Sequence, residues 1–185
     1  MAAGDLQVLN EHLYGTAKLR VEDRTTSTAI ATIKPGEICN KGASGAVAAA
    51  GNFAVLGVDA GAGGLGQDGT DLLIGICKEE SDETSTVDGH GVFYLIGLGT
   101  RIRGRATTNT NMNTVALLDG LLLDNVTIDG ITAATGNTTT TPYTIDENDT
   151  DDPNIHAFQI LNGDIIEDTL EVRVVAATCM LGNGI

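Results

Sequence analysis

The apolar runs of this chain are short, and nearly every one is ended by glycine or by a polar, turn-forming cluster. Thr25–Ile33 alternates and is rich in Thr and Ile, then stops at Lys34-Pro35-Gly36-Glu37. There proline fixes φ and glycine admits a positive φ, so the chain can reverse. Similar runs follow at Ala46–Val58 (two short strands broken near Gly51), Asp71–Lys78, Val92–Leu98, Arg101–Thr107, Asn125–Ile131, Ile155–Leu161 and Thr169–Ala177. Such lengths suit strands and are too short for most helices. Thr169–Ala177 is the clearest: Leu170, Val172 and Val174 alternate with Glu171 and Arg173, one set for each face of a strand. Asp71–Lys78 has a nearly continuous apolar centre and should be buried on both faces.

Turns are expected at Asp88-Gly89-His90-Gly91, at Asp129-Gly130 and at Asn162-Gly163-Asp164. One helical stretch stands out. Asn113 or Thr114 can cap a short helix that runs through Asp119, and Gly120 would stop it. Roughly ten short strands at this spacing predict an all-β fold, a small β-barrel or β-sandwich with short helical turns.

Residues 1–24 differ from the rest. Leu6, Val8, Leu9, Leu13 and Tyr14 form a loose apolar pattern without a period, and Glu22-Asp23-Arg24 follows. This segment reads as an extended N-terminal arm that orders on a partner surface through Leu6, Leu9, Leu13 and Tyr14. The alternative is a first strand of the core. The expected division is an arm over 1–24 and a β-rich body over 25–185. Deleting the arm should abolish partner binding and leave the body folded.

Charge narrows the partners. With 25 acidic and 10 basic residues the formal net charge is −15, which repels nucleic-acid phosphates. Aromatic residues make up 3% of the chain and Trp is absent, so neither a base-stacking platform nor an aromatic-lined ligand pocket is expected. No apolar stretch approaches the ~20 residues of a membrane-spanning helix. Met1–Asn10 lacks the charged start and apolar run of a signal peptide. Cys39, Cys77 and Cys179 are odd in number and fit no metal spacing. They read as buried thiols of a protein made in a reducing cytoplasm.

Four motifs bear on chemistry. Gly61-Ala62-Gly63-Gly64-Leu65-Gly66 has the spacing of a dinucleotide loop, but a β-like run follows where a helix must open, so it reads as a surface loop. Asp146, Asn148 and Asp152 have the alternating oxygens of a calcium loop. Asp151 and Ala157 stand where such a loop needs Gly and Glu, and a solvated acidic loop or a patch for a basic partner is the favoured reading. His12, His90 and His156 are scattered, and no nucleophile motif accompanies them. Arg101, Arg103 and Arg105 share one strand face, either a solvated edge or a site for an acidic partner such as a neighbouring copy. No catalytic group and no cofactor is expected.

The middle of the chain resembles the head decoration, or capsid cement, proteins of tailed phages. The likeness is carried by Ile33-Lys34-Pro35-Gly36-Glu37, the Ala/Val/Gly segment Ala46–Val58, Leu73-Ile74-Gly75-Ile76-Cys77, and Asp88-Gly89-His90-Gly91-Val92 leading into Val92–Leu98. Asp151-Asp152-Pro153-Asn154-Ile155-His156 adds to it. The resemblance implies a non-enzymatic virion protein on the outer capsid surface, made in the host cytoplasm. Its partners would be the major capsid protein and its own copies, often as a trimer. The alternative is a carbohydrate- or calcium-dependent binding module of a phage tail or fibre.

Overall fold

A computed structural model of the chain describes residues 6–21, 35–36, 38–40, 73–82, 84, 87–129, 144–148 and 158–175. Ten strands lie among them: β1 Gln7–Val8, β2 Thr16–Val21, β3 Ile38–Asn40, β4 Leu73–Glu79, β5 Gly89–Leu95, β6 Arg101–Ala106, β7 Asn125–Asp129, β8 Thr144–Asp146, β9 Phe158–Asp164 and β10 Thr169–Val174. One helix, α1 Val115–Leu121, follows a 3₁₀ turn at Asn109–Asn111. The fold is all-β, as the short interrupted runs require.

One sheet has the order β1-β6-β10-β9-β7-β8, and β8 also pairs with β6. The second pairing closes β6, β10, β9, β7 and β8 into a five-stranded barrel. Four of its ladders are antiparallel and the closing one, Arg105 beside Thr144 and Ala106 beside Ile145, is parallel. Closure leaves no free edge around the ring, which removes the usual aggregation liability of an open sheet. Its interior is made by alternation. On β6, Ile102, Gly104 and Ala106 are buried while Arg101, Arg103 and Arg105 are exposed. Ile128, Ile145, Phe158, Ile160, Leu170 and Val172 complete the filling. Fully burying one such large apolar side chain stabilises the fold by roughly 1.5–3 kcal/mol. Gly104 leaves the space that this crowding needs, since a Cβ there would come within 2.8 Å of Leu6.

The second sheet is four-stranded, β2-β5-β4-β3. Its buried residues Val21, Ile76, Cys77 and Phe93 join the same hydrophobic cluster as the barrel interior. Strand β4 is buried on both faces at Gly75-Ile76-Cys77, as its apolar centre requires, while Lys78 and Glu79 at its end are exposed. Gly89-His90-Gly91, expected as a turn, is strand because Val21, Arg20 and Leu19 lie opposite it and supply the ladder.

The two sheets share one ribbon. Pairs of β1 with β6 (Gln7 with Arg103, Val8 with Ile102) and of β2 with β5 (Thr16 with Tyr94, Val21 with Gly89) keep a single register, in which paired residue numbers always add to 110. The register survives the bend between sheets because both sides bend together. Asn10 accepts from the Arg101 N–H at 2.7 Å and donates to the Gly99 carbonyl at 3.0 Å. Tyr14 donates its hydroxyl to the Leu98 carbonyl at 2.9 Å, and its ring covers Gly97, where a Cβ would sit 2.6 Å away. Residues 6–21, set apart in the sequence as most of an arm, thus supply an edge strand to each sheet, β1 and β2, joined by the turn at 11–14. Leu6 is buried in the core. Removing residues 1–24 takes away an edge of each sheet and two core side chains, Leu6 and Val21, so the deletion disturbs the body that was expected to stay folded.

Other expectations fall where they were set, with shifted ends. Thr114 caps α1, its hydroxyl accepting from the Leu117 N–H at 3.3 Å. The helix continues through Gly120 to Leu121. Asn162-Gly163-Asp164, expected as a turn, is the end of β9, held by Glu171, Leu170 and Thr169 across the ladder. The reversal lies one step later at 165–168, where the Asp164 carboxylate accepts from the N–H groups of Ile166 and Glu167. Thr25–Ile33, Ala46–Val58, Gly61–Gly66, Gly130, Thr132–Thr141 and Cys179 lie outside the described residues. No helix among the described residues is long and apolar enough to cross a membrane.

Candidate functional site: the capped end of the barrel

Strand directions bring three connections to one end of the barrel. They are the long excursion 107–124 after β6, the turn 165–168 between β9 and β10, and residues 147–148 after β8. The excursion crosses the mouth as a lid. Met112 is fully buried beneath it, and Leu118 of α1 reaches the inner face of Gly163, where a Cβ would lie 2.8 Å from its Cδ1. Leu121 and Leu118 pack against the core.

Glu147 fastens the lid. It is 2% exposed, and its carboxylate accepts from the backbone N–H of Thr107 (2.9 Å) and of Thr108 (2.8 Å), and from the Asn111 side-chain amide (3.3 Å). Two successive amides thereby reach one buried acceptor group: the Thr107 N–H shares it with the Ile145 carbonyl of β8 at 3.0 Å, whereas for the Thr108 N–H it stands in for a strand partner. Burial pushes the Glu147 carboxyl above the ordinary glutamate value, the backbone hydrogen bonds oppose this, and the neighbouring Asp146 charge adds to the rise. In the sequence Glu147 is one of many acids in Asp146–Asp152, and no local pattern marks it as the one that turns inward.

The outer surface of the lid is apolar. Of the eight large apolar side chains exposed among the described residues, five leave from this end: Val115, Leu117, Leu122, Leu123 and Ile166. Ile166 is 86% exposed, Val115 63% and Leu123 62%. Leu123 carries a second cost. It sits just after the helix cap with φ +72°, in the left-handed region where glycine is the usual residue. A side chain there costs about 1–2 kcal/mol relative to an ordinary conformation. The run Leu121–Leu123 is plain in the sequence, but its exposure depends on which side of α1 meets the barrel.

The arginine face runs along the barrel wall. Arg101 is paired with Glu171, and Arg173, beside it in the ladder, is hydrogen-bonded to the neutral Gln159. Arg103 stands opposite Glu171 and Gln7, and Arg105 opposite Thr169 and Thr144. Near its lower end Leu13, exposed, lies against Gly99 and next to the exposed Leu98. Of the other arm residues expected to bind a partner, Leu9 is half-buried and donates its N–H to the Arg101 carbonyl, while Leu6 and Tyr14 are used inside the fold.

The calcium candidates are only partly described. The Asp146 carboxylate accepts from the N–H and the side-chain amide of Asn148, and Asn148 accepts from the Asn111 amide. Asp152 lies outside the described residues. Among the described residues, no group of three or more His, Cys, Asp or Glu side chains is placed to hold a metal ion. A cleft of about 480 Å³ opens between β1 and the β3–β4 sheet, lined by Leu6, Val8, Glu11, Pro35, Cys77 and Tyr94, among others. Lys78, 5.1 Å from the centre of the Tyr94 ring, lies at the same cleft. His12 and His90 are exposed, and Cys77 is buried with its thiol bonded to the Glu79 carbonyl at 3.1 Å. Comparison with protein-family models, with curated proteins and with solved structures finds no match to this chain.

Proposed function

We propose that this chain is a non-enzymatic virion subunit that decorates and stabilises a phage capsid through contacts with the major capsid protein and with its own copies. The observation that carries this reading is the apolar outer surface of the barrel's capped end. A free-standing monomer gains nothing from exposing Val115, Leu117, Leu122 and Leu123 on a lid that could carry polar residues there. Leu123 also holds a backbone conformation that glycine would adopt without strain. Both costs are recovered when a second protein surface covers the end. The formal charge of −15 fits a subunit that stays soluble before assembly and meets a basic surface during it. The phage assignment itself draws on the decoration-protein resemblance of the middle of the chain.

Co-sedimentation of the purified chain with empty phage heads that lack a decoration protein tests the reading. Saturable binding at a fixed ratio to the capsid subunits, with a higher disruption temperature of the heads, is the expected result. Heads that neither bind the chain nor gain stability from it would overturn the assignment.

A further inference from the structure

The capped end has a charge pattern that restricts its partner. Residues 107–124, 144–148 and 164–168 carry no Lys or Arg and seven carboxylates, of which Glu147 is buried and Asp164 shares a groove with Arg103, leaving Asp119 and Glu167 among those facing water. An apolar surface interspersed with carboxylates repels anionic membranes, and it repels a second copy of itself placed end to end. Its partner must bring basic groups. The chain has only ten Lys and Arg in all, and four of them stand on the outer faces of β6 and β10 with a single carboxylate, Glu171, on those two faces. Arg103 and Arg105 form no ion pair among the described residues. Guanidinium groups take carboxylates in bidentate fashion, and their aliphatic stems cover leucine side chains. Leu98 and Leu13, exposed where this face ends, add apolar area to it.

We propose that the capped end of one copy docks against the β6–β10 arginine face of the next, so that the chain assembles head to tail. This rests on the reading of the chain as a packing subunit and names the surface and the partner of its self-contacts. Two different surfaces of one molecule meet, so the contact is heterologous and closes as a ring or extends as a filament. Arg103 and Arg105 take rim carboxylates such as Asp119 and Glu167, and Leu117 and Leu123 rest on the arginine stems.

Sedimentation velocity of the full chain tests this with two variants, one broken on each surface. Arg103→Gln/Arg105→Glu alters the face and leaves the end intact. Leu117→Asp/Leu123→Asp does the reverse. The wild type is expected to sediment as an oligomer, and each variant, folded by circular dichroism, as a monomer. The two variants mixed in equal amounts are expected to form a heterodimer and nothing larger, because one intact end then meets one intact face. A wild type that stays monomeric to about 1 mM, or a mixture that stays monomeric, overturns the proposal. Should the double aspartate variant fail to fold, Leu123→Gly replaces it and must weaken the oligomer. A monomeric wild type that still binds heads removes the head-to-tail contact and leaves the decoration reading standing. A ring that does not bind heads does the opposite.

Discussion

The inside of the barrel and the outside of its lid are built from the same kinds of residue and are treated in opposite ways. Inside, Ile102, Ile128, Ile145, Phe158 and Ile160 are fully buried, and alternation along each strand puts them there. On the lid Val115, Leu117, Leu122 and Leu123 are exposed, as is Ile166 on the neighbouring β9–β10 turn, beyond a shell already sealed by Met112, Leu118 and Leu121. The first set explains why the chain folds. The second set is left partly or largely in water, and the left-handed backbone of Leu123 opposes folding. That contrast separates stability from assembly in this molecule, and substitutions can test it residue by residue.

The largest effect is expected in the interior. Phe158→Ala removes a fully buried ring where β9 meets both β7 and β10, and should cost about 3–5 kcal/mol in denaturant unfolding. A cost below about 1 kcal/mol would mean that the barrel is not where the stability resides.

Next comes the junction between the two regions. Glu147→Ala leaves the Thr108 amide without its buried acceptor, while the Thr107 amide keeps the Ile145 carbonyl, and should cost about 1–3 kcal/mol. Hydrogen exchange should rise over 107–112 before it rises in the barrel strands. The same residue gives a pH test. Its folded pKa is raised, so the folded chain holds the proton more readily than the unfolded one. The stability it contributes is full below the ordinary glutamate value of about 4.3 and is lost as pH rises through the raised value. Lowering the pH from neutrality into that window should therefore increase the melting temperature of the wild type relative to Glu147→Gln. A difference that is flat with pH would mean that Glu147 titrates as an exposed glutamate does.

A smaller effect belongs to the lid alone. Thr114→Ala removes the side-chain acceptor for the Leu117 N–H and should cost about 0.5–2 kcal/mol, read by thermal unfolding. Loss of partner binding beyond that small change in stability would tie the set of α1 to docking.

How much of this the sequence discloses depends on how local the cause is. Alternation in Arg101–Ala106 and Thr169–Val174 is visible because period two is a property of neighbouring residues. The Thr114 cap is visible for the same reason. The strand status of Gly89–Gly91 is not, because the partner that recruits it lies about seventy residues earlier in the chain. For the same reason the sequence leaves residues 6–21 open between an arm and a first strand of the core. Their apolar pattern is loose because they cross a bend between two sheets, and Leu6, Tyr14 and Asn10 serve three different contacts rather than one face. The arginine face was legible as a stripe. The apolar end was not, since only closure of the barrel decides which leucines of 117–123 turn away from it.

Leu123→Gly puts the contrast to its most direct test. Glycine relieves the left-handed strain and removes an exposed side chain, so the melting temperature of the isolated chain should stay level or rise, while binding to heads and to other copies falls. A clear drop in melting temperature with binding unchanged would show that Leu123 serves the fold, and would contradict the account of the capped end as a docking surface.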